Sequence, residues 1–195
     1  MLQAGVTGPA SYGEQVQNRL HSALGVTRVP AWHYQLRPRL GVDLRVAHAR
    51  RRPITDRIDL VTRVAGSAGN VLVRASAGAM LRTGSGLRGA EFPSEAMQAM
   101  PGALRAGGWV LFAGADARAT LWDVFLDGQP YGYEPAISSR PLSVEGFVGA
   151  ALALGRGRIA FTLARRTIDF RGPGVGAARY APQTVGWIVV DLPLP

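Results

Sequence analysis

The sequence contains no cysteine, and arginine supplies all of its positive side chains because lysine is absent too. Without cysteine, neither a disulfide framework nor a thiolate metal site is possible. No apolar run reaches the roughly 20 residues of a membrane-spanning helix, and no basic-then-apolar signal peptide follows Met1. With 195 residues the chain is long enough for one domain.

The composition favours strands over helices. Hydrophobic residues make up 47% of the chain, and there are 25 glycines. Glycine is a poor helix former, so this combination is typical of many glycine-punctuated strands.

The net charge of +9 indicates an anionic partner. The arginines are spread one or two to a strand, and no aromatic stacking motif accompanies them, which argues against nucleic acid. Phosphorylated lipid head groups match the positive charge of the chain as well as nucleic acid does, because arginine pairs bidentately with phosphate. A generally basic surface without a specific ligand is the remaining alternative.

One helix is predicted, within residues 8–36. Ser11 can serve as its N-cap, and Glu14 follows at the capping-box spacing. Gly25 supplies a C-terminal stop. An apolar stripe recurs at helical spacing between these signals, formed by Val16, Leu20 and Leu24.

Gln17 and His21 are i, i+4 neighbours on an adjacent face of this helix. A lone histidine on an amphipathic helix is usually a polar surface residue. The spacing alone therefore favours that interpretation of His21 over catalysis.

The rest of the chain alternates between apolar and polar residues, which predicts strands. Residues 50–53 are interpreted as a basic turn, and residues 84–106, 123–139 and 172–182 as long connections. The predicted strands, roughly eight, cover residues 2–7, 39–49, 57–66, 70–83, 109–121, 142–154, 158–170 and 183–192.

This alternation suits either a soluble sandwich or a membrane barrel with its polar face inside. Strands of about 10 to 13 residues, and short links that alternate with long loops, favour the barrel. Asp116 and Arg118 project side by side from one strand, which suits a polar lumen, although an ion pair on a solvent face fits about equally well. We therefore predict an all-β fold, an antiparallel transmembrane β-barrel of roughly eight strands, with one short helix in a loop near the amino terminus; that the barrel is partial is implied only by the resemblance described next.

Ordered motifs along nearly the whole chain resemble the outer-membrane lipid A 3'-O-deacylase (LpxR-like) family. The first block comprises Gly8, Pro9, Gly13, Gln15, Gln17, Asn18, His21, Pro30, Trp32, Gln35 and Leu36. Later blocks are Gly69-Asn70-Val71, Ala77-Gly78-Ala79, Arg82-Thr83-Gly84, Phe112-Ala113-Gly114-Ala115 with Arg118, Phe125-Leu126-Asp127-Gly128, and Arg166-Thr167 with Phe170.

The resemblance implies a location in the bacterial outer membrane and a barrel of about a dozen strands in a longer chain. Residues 1–195 would then be a single outer-membrane β-barrel domain, the carboxy-terminal portion, with the amino-terminal strands and signal peptide missing. The implied partners are lipid A of lipopolysaccharide and outer membrane lipids, and not nucleic acid.

The resemblance also implies an ester hydrolase in which His21 is the base and a calcium ion stabilises the oxyanion. Gln17 and Asn18 would orient groups beside His21. Arg74 and Arg118 would meet substrate phosphates or the lumen's own carboxylates.

Calcium prefers carboxylate ligands, yet no Asp or Glu stands between Glu14 and Asp43. A catalytically inactive barrel with a binding or structural role is therefore one alternative. The other is a soluble basic β-protein that binds an anionic polymer.

Overall fold

The computed structural model describes residues 1–27, 32, 36–89, 104–128, 137–155, 157–172 and 182–192. Two α-helices are present in this part of the chain, α1 (Gly13–Ala23) and α2 (Val124–Asp127), and a 3-10 helix (Gly8–Ser11) precedes α1. The strands are β1 (Leu2–Thr7), β2 (Arg39–Pro53), β3 (Ile58–Gly69), β4 (Leu72–Leu87), β5 (Leu104–Asp123), β6 (Ser138–Ser139), β7 (Leu142–Leu154), β8 (Gly157–Arg166), β9 (Phe170–Arg171) and β10 (Gln183–Asp191). Neither helix in the described ranges has the length and hydropathy needed to cross a membrane.

Eight strands form one antiparallel sheet in the order β1-β2-β3-β4-β5-β7-β8-β10. Strands β6 and β9 form a separate two-stranded sheet. In the described structure β1 pairs only with β2, and β10 only with β8, so the large sheet is not closed. This arrangement confirms the predicted partial, all-β architecture.

The two faces of the large sheet are inverted relative to a water-soluble protein. The inner face buries charged residues, among them Asp59, Asp116 and Glu145. The outer face exposes large apolar side chains, and Leu121 is 82% exposed. A membrane barrel turns its polar residues inward and its apolar residues toward lipid, so this inversion favours the barrel over the sandwich.

An apolar cluster fills the inner face between the charged residues. It is formed by Val61, Met80, Leu87, Val110, Phe112, Phe147, Ala151, Ala160 and Ala164. The rings of Phe112 and Phe147 are tilted by 51° with centroids 6.4 Å apart. Phe112 lies against Gly149 and Phe147 against Gly114, where a Cβ atom would collide with the ring. The aromatic rings therefore occupy the space that side chains at these glycines would fill.

The connections differ between the two ends of the sheet. The end where β1 finishes and β2 begins, which we call the loop end, carries residues 8–38, 70–71, 124–141 and 167–182. The opposite turn end carries residues 54–57, 88–103 and 155–156. Most links follow the predicted separation of long loops from short turns, but 70–71 is short at the loop end and 88–103 is long at the turn end.

Several predicted boundaries are wrong. Residues 50–53 belong to β2 and are not a turn, because Arg51 on this segment pairs with the buried Asp59 of β3. Strands β4 and β5 both extend into the predicted connection at 84–106. The predicted strand at 158–170 ends at Arg166, and Phe170 pairs with Ser139 of the small sheet instead.

The predicted helix is confirmed, but its predicted cap is not. Tyr12 is the N-cap of α1 and has a left-handed backbone (φ 56°), which separates α1 from the 3-10 helix. The Ser11 hydroxyl donates a hydrogen bond to the carbonyl of Gly8 at 2.7 Å and accepts a longer one from the backbone N–H of Gly13, the first residue of α1, at 3.4 Å, so Ser11 contacts the start of the helix without being its N-cap. Gly25 has φ +67°, a conformation that favours glycine, and it follows the helix as predicted.

Candidate functional site

Helix α1 carries the candidate catalytic residues at the loop end of the sheet. The 3-10 helix begins directly after β1 ends at Thr7, and α1 follows it. Gly13, Gln17 and His21 are all half-buried and lie at i, i+4 and i+8, so they share one face of the helix. The same face includes Asn18, which is also half-buried.

His21 is oriented by two hydrogen bonds. Its Nδ1 lies 2.8 Å from the carbonyl oxygen of Thr27, and its Nε2 lies 3.3 Å from Nε2 of Gln17. A carbonyl oxygen can only accept, so Nδ1–H is the donor and the lone pair of the neutral ring lies on Nε2. The Gln17 amide donates to that lone pair. The predicted pairing of Gln17 with His21 is thus present, and the nitrogen beside Gln17 is the one able to accept a proton.

Two further polar atoms in this region are buried without a hydrogen-bond partner in the described structure. They are Oδ1 of Asn18 and Nε1 of Trp32. The Trp32 ring packs against the start of α1, and a Cβ atom at Gly13 would lie 3.3 Å from its Cη2 atom. Gly13 and Trp32 both belong to the first resembling block, so the structure accounts for this pair by packing. Two other residues of that block, Pro30 and Gln35, lie outside the described residues.

Arg118 is buried on the inner face of β5 and contacts two carboxylates. Its Nη2 lies 3.1 Å from Oε1 of Glu145, and its Nε lies 3.4 Å from Oδ2 of Asp116. The resemblance suggested either substrate phosphates or carboxylates of the lumen as partners of Arg118. In the structure its partners are carboxylates of the lumen.

These residues belong to a larger ladder of charges across the inner face. Arg63 of β3 lies 3.9 Å from Asp116 and donates to the hydroxyl of Ser76 at 3.2 Å. Arg166 of β8 lies 2.7 Å from Glu145. Three guanidinium groups thus alternate with two carboxylates from β3 to β8. In register, Asp116 lies between Gly78 of β4 and Glu145 of β7, and Arg63 of β3 is the partner of Gly78 on the other side, so the glycine leaves room for the arginine side chain.

Arg74 also faces inward, close to the loop end. Its Nε donates to the hydroxyl of Thr120 at 3.0 Å, and its Nη2 lies 3.4 Å from Asp123. Its side chain is mostly buried. Arg74 and Arg118 therefore lie in the same lumen but have different partners.

The comparisons with known proteins settle the family. A sequence profile described as "Outer membrane protein LpxR" matches residues 1–187.

The chain belongs to the LpxR outer membrane protein family. The solved structure of LpxR from Salmonella typhimurium superposes with a TM-score of 0.70 at 22% sequence identity. The match covers 97% of this chain and 64% of that structure, so the chain spans under two thirds of the length of its relative. None of the curated proteins compared with the chain matches it.

These findings confirm the predicted family, the β-barrel fold and the outer membrane location. The similarity at 22% identity supports the fold alone. Roles for His21, Gln17, Asn18, Arg74 and Arg118 stay predictions, as does the interpretation of residues 1–195 as one domain with missing amino-terminal strands.

The calcium ion implied by the resemblance stays a prediction. No group of three or more His, Asp or Glu residues in the described ranges is arranged to hold a metal ion. Glu14 is the one carboxylate on α1. Calcium takes six to eight oxygen ligands, carboxylates among them.

Asp127 organises the loop end and was not predicted to do so. Its carboxylate accepts hydrogen bonds from the backbone N–H of Asp123 at 2.7 Å and from that of Ser139 at 2.6 Å. The Ser139 hydroxyl donates to it as well, at 2.7 Å. Asp127 thus ties α2 to β6. The signal was present in the sequence as the Phe125-Leu126-Asp127-Gly128 block, but its partner is distant in the chain.

Proposed function

We propose that the chain is part of a lipid A 3'-O-deacylase, an outer membrane hydrolase that removes an ester-linked acyl chain from lipid A. Its place in the LpxR outer membrane family supports this function. The observation that carries the role of His21 is the hydrogen bond from its Nδ1–H to the carbonyl of Thr27, at 2.8 Å. That bond leaves the proton-accepting lone pair on Nε2.

In the proposed mechanism, His21 acts as a general base. Its Nε2 takes a proton from water, and the water oxygen attacks the acyl carbonyl carbon of the ester. The imidazolium returns the proton to the sugar oxygen as the ester C–O bond breaks, which releases a free fatty acid and a sugar hydroxyl. The Thr27 carbonyl accepts the Nδ1–H bond throughout, so it stabilises the positive charge that His21 carries between the two transfers.

Gln17 and Asn18 position the groups around His21. The amide of Gln17 occupies the Nε2 lone pair in the structure, at 3.3 Å. Water must displace this amide before the base can act, so Gln17 holds the ring in place until substrate arrives. Asn18 offers a buried carbonyl oxygen with no partner in the described structure, which is suited to a donor on the substrate or on the attacking water.

Substrate-phosphate binding by Arg74 and Arg118 receives little support. Arg118 is buried and already contacts Asp116 and Glu145. Arg74 is slightly more accessible and lies nearer the loop end, so it is the stronger of the two candidates.

A catalytically inactive barrel of the same family is the second candidate. The observation that favours it is the lack of a calcium ligand set among the residues whose structure is described. Such a protein would keep the fold and the outer membrane location without hydrolysing lipid A.

Substitution of His21 by glutamine tests the proposal. We expect the unaltered protein to remove one acyl chain from lipid A in the outer membrane, measured by mass spectrometry of extracted lipid A. His21→Gln should reduce the rate by about 10²–10⁴-fold, the usual contribution of a general base.

His48→Gln is the matched control, because His48 is an exposed histidine on β2 and no part of the site. It should keep normal activity. Full activity of His21→Gln would refute the assignment of the base. Absence of deacylation by the unaltered protein, correctly inserted in the membrane, would favour the inactive barrel.

A further inference from the structure

Helix α1 exposes its apolar side chains and half-buries its polar ones. Val16 is 65% exposed, Leu20 is 55% exposed and Leu24 is 67% exposed. Gln17, Asn18 and His21 are half-buried instead. A helix that packs on a water-soluble protein shows the opposite pattern, with its apolar stripe toward the protein. The orientation of α1 therefore needs an explanation outside the described protein atoms.

The exposed surface of α1 has two flanks of different chemistry. One flank is the apolar stripe of Val16, Leu20 and Leu24. The other carries Gln15, Arg19 and Ser22, which are also exposed. At 100° per residue the centres of the two flanks lie roughly 130° apart around the helix axis. A helix surrounded by water on both flanks would have no reason to sort its side chains in this way.

The outer face of the sheet shows what such exposure means in this molecule. Leu40 and Val46 on β2 are each 63% exposed. They lie on the outer face of the sheet, which faces lipid in an outer membrane barrel. Val6, near the end of β1, shares that face and is also exposed. The 3-10 helix begins directly after β1, and α1 begins at Gly13, six residues beyond the end of β1, so α1 is close in the chain to the lipid-facing surface.

We propose that α1 lies in the surface of the outer leaflet, with Val16, Leu20 and Leu24 among the lipid acyl chains. Gln15, Arg19 and Ser22 face water and the polar head groups. Arg19 is next to the apolar stripe on the helical wheel, where its guanidinium can reach an anionic head group while its stem lies along the apolar flank. Charged polar flanks and apolar opposite flanks are typical of helices that lie in a membrane interface.

The absence of cysteine allows a direct test with single nitroxide labels. Leu20→Cys labels the apolar flank, Ser22→Cys labels the polar flank, and Leu121→Cys labels the outer face of β5 as a lipid reference. Each labelled protein is reconstituted in phosphatidylcholine vesicles. Power-saturation electron paramagnetic resonance then compares collisions of the label with oxygen, which concentrates in lipid, and with a water-soluble nickel chelate.

The proposal predicts that the oxygen-to-nickel collision ratio at Leu20 approaches the ratio at Leu121 and exceeds the ratio at Ser22 severalfold. A Leu20 label that the nickel chelate reaches as readily as the Ser22 label would overturn it, because the stripe would then face water. A Leu20 label protected from both reagents would also overturn it and would indicate cover by a second copy or by another protein segment.

If the nickel chelate reaches the label at position 121 freely, the outer face of the sheet does not contact lipid, and the proposal for α1 is refuted with it. The measurement involves no enzymatic activity. Its failure would therefore leave the proposed role of His21 untouched, and inactivity of the protein would leave the proposal for α1 untouched.

Discussion

Replacement of Asp59 by asparagine should destabilise the barrel strongly. Asp59 is fully buried on β3 and receives two hydrogen bonds from Arg82, from Nε at 2.7 Å and from Nη2 at 2.9 Å. Arg51 also contacts it. Arg82 is itself 1% exposed, so its guanidinium has no route to water when the carboxylate charge is removed.

The size of the effect follows from the unequal burial of the two arginines. Breaking a buried ion pair by neutralising one partner costs about 3–5 kcal/mol, because the other charge stays buried. Arg82 keeps hydrogen bonds to the carbonyl oxygens of Arg88 and Gly89, and asparagine keeps one acceptor oxygen. Arg51 is partly exposed and can turn to water. We therefore expect the lower end of the range, a loss of about 3 kcal/mol in the free energy of unfolding.

Urea unfolding of the detergent-folded protein, followed by tryptophan fluorescence, measures this change. Trp187 packs against the apolar cluster of the inner face, so its emission reports loss of that packing. Asp56→Asn is the matched control. Asp56 is exposed in the turn between β2 and β3, and its replacement should change stability by less than about 0.5 kcal/mol.

A double replacement separates the charge from its surroundings. Asp59→Leu combined with Arg82→Met removes both buried charges and should recover most of the stability that Asp59→Asn loses. A loss below about 1 kcal/mol for Asp59→Asn, the range of exposed ion pairs, would refute the reasoning. It would mean that water reaches Arg82 in the folded protein.

Two further predictions use the same unfolding assay. Gly149→Ala should cost about 1–3 kcal/mol, because its Cβ would collide with the Phe112 ring and a neighbouring backbone oxygen. Gly146→Ala on the same strand meets no described atom within 4 Å and should be nearly neutral, so equal effects of the two would contradict the packing argument. Asn70→Ala should cost about 1–2 kcal/mol, since the Asn70 amide accepts from Val42 at 2.7 Å and donates to Leu40 at 2.9 Å. An unchanged urea midpoint for Asn70→Ala would show that these bonds are replaced by water.

The faces of the strands were predictable because alternation has a fixed period of two. Alternation placed Asp116 and Arg118 on the same face of β5, with a polar lumen and a solvent face equally compatible, and the structure shows that this face is the buried inner one. Their partner Glu145 was not predicted. It lies on β7, and its register against Asp116 depends on the long connection between β5 and β7, whose length alone does not determine pairing.

The ends of the strands were harder to predict because tertiary contacts decide them. Three consecutive arginines before a proline are typical of a solvated turn. Here the side chain of Arg51 turns inward to Asp59, so β2 continues to Pro53. The sequence around residue 51 does not reveal that the carboxylate of Asp59, on the next strand, lies within reach of the Arg51 side chain.

One of the two contacts of His21 was predictable, because it depends only on local helical spacing. The contact of Gln17 with His21 follows from their i, i+4 spacing in a helix. The contact of His21 with the Thr27 carbonyl does not, because it requires the chain to reverse at Gly25, which has a left-handed backbone. That second contact is the one that assigns the proton on the imidazole ring, so the chemistry of His21 depends on the part that spacing could not predict.

The orientation of α1 extends the inversion of the sheet to a helix. Periodicity predicts which side chains share a face, but it does not tell which face meets protein and which meets solvent. In water, the apolar stripe of α1 would turn inward. The strands expose Leu121 and bury Asp116, and the helix exposes Leu20 and half-buries His21. The sheet and the helix both expose apolar side chains and bury polar ones, so lipid around the molecule accounts for the orientation of both. In this orientation His21 lies on the protein side of α1 and is screened from the lipid.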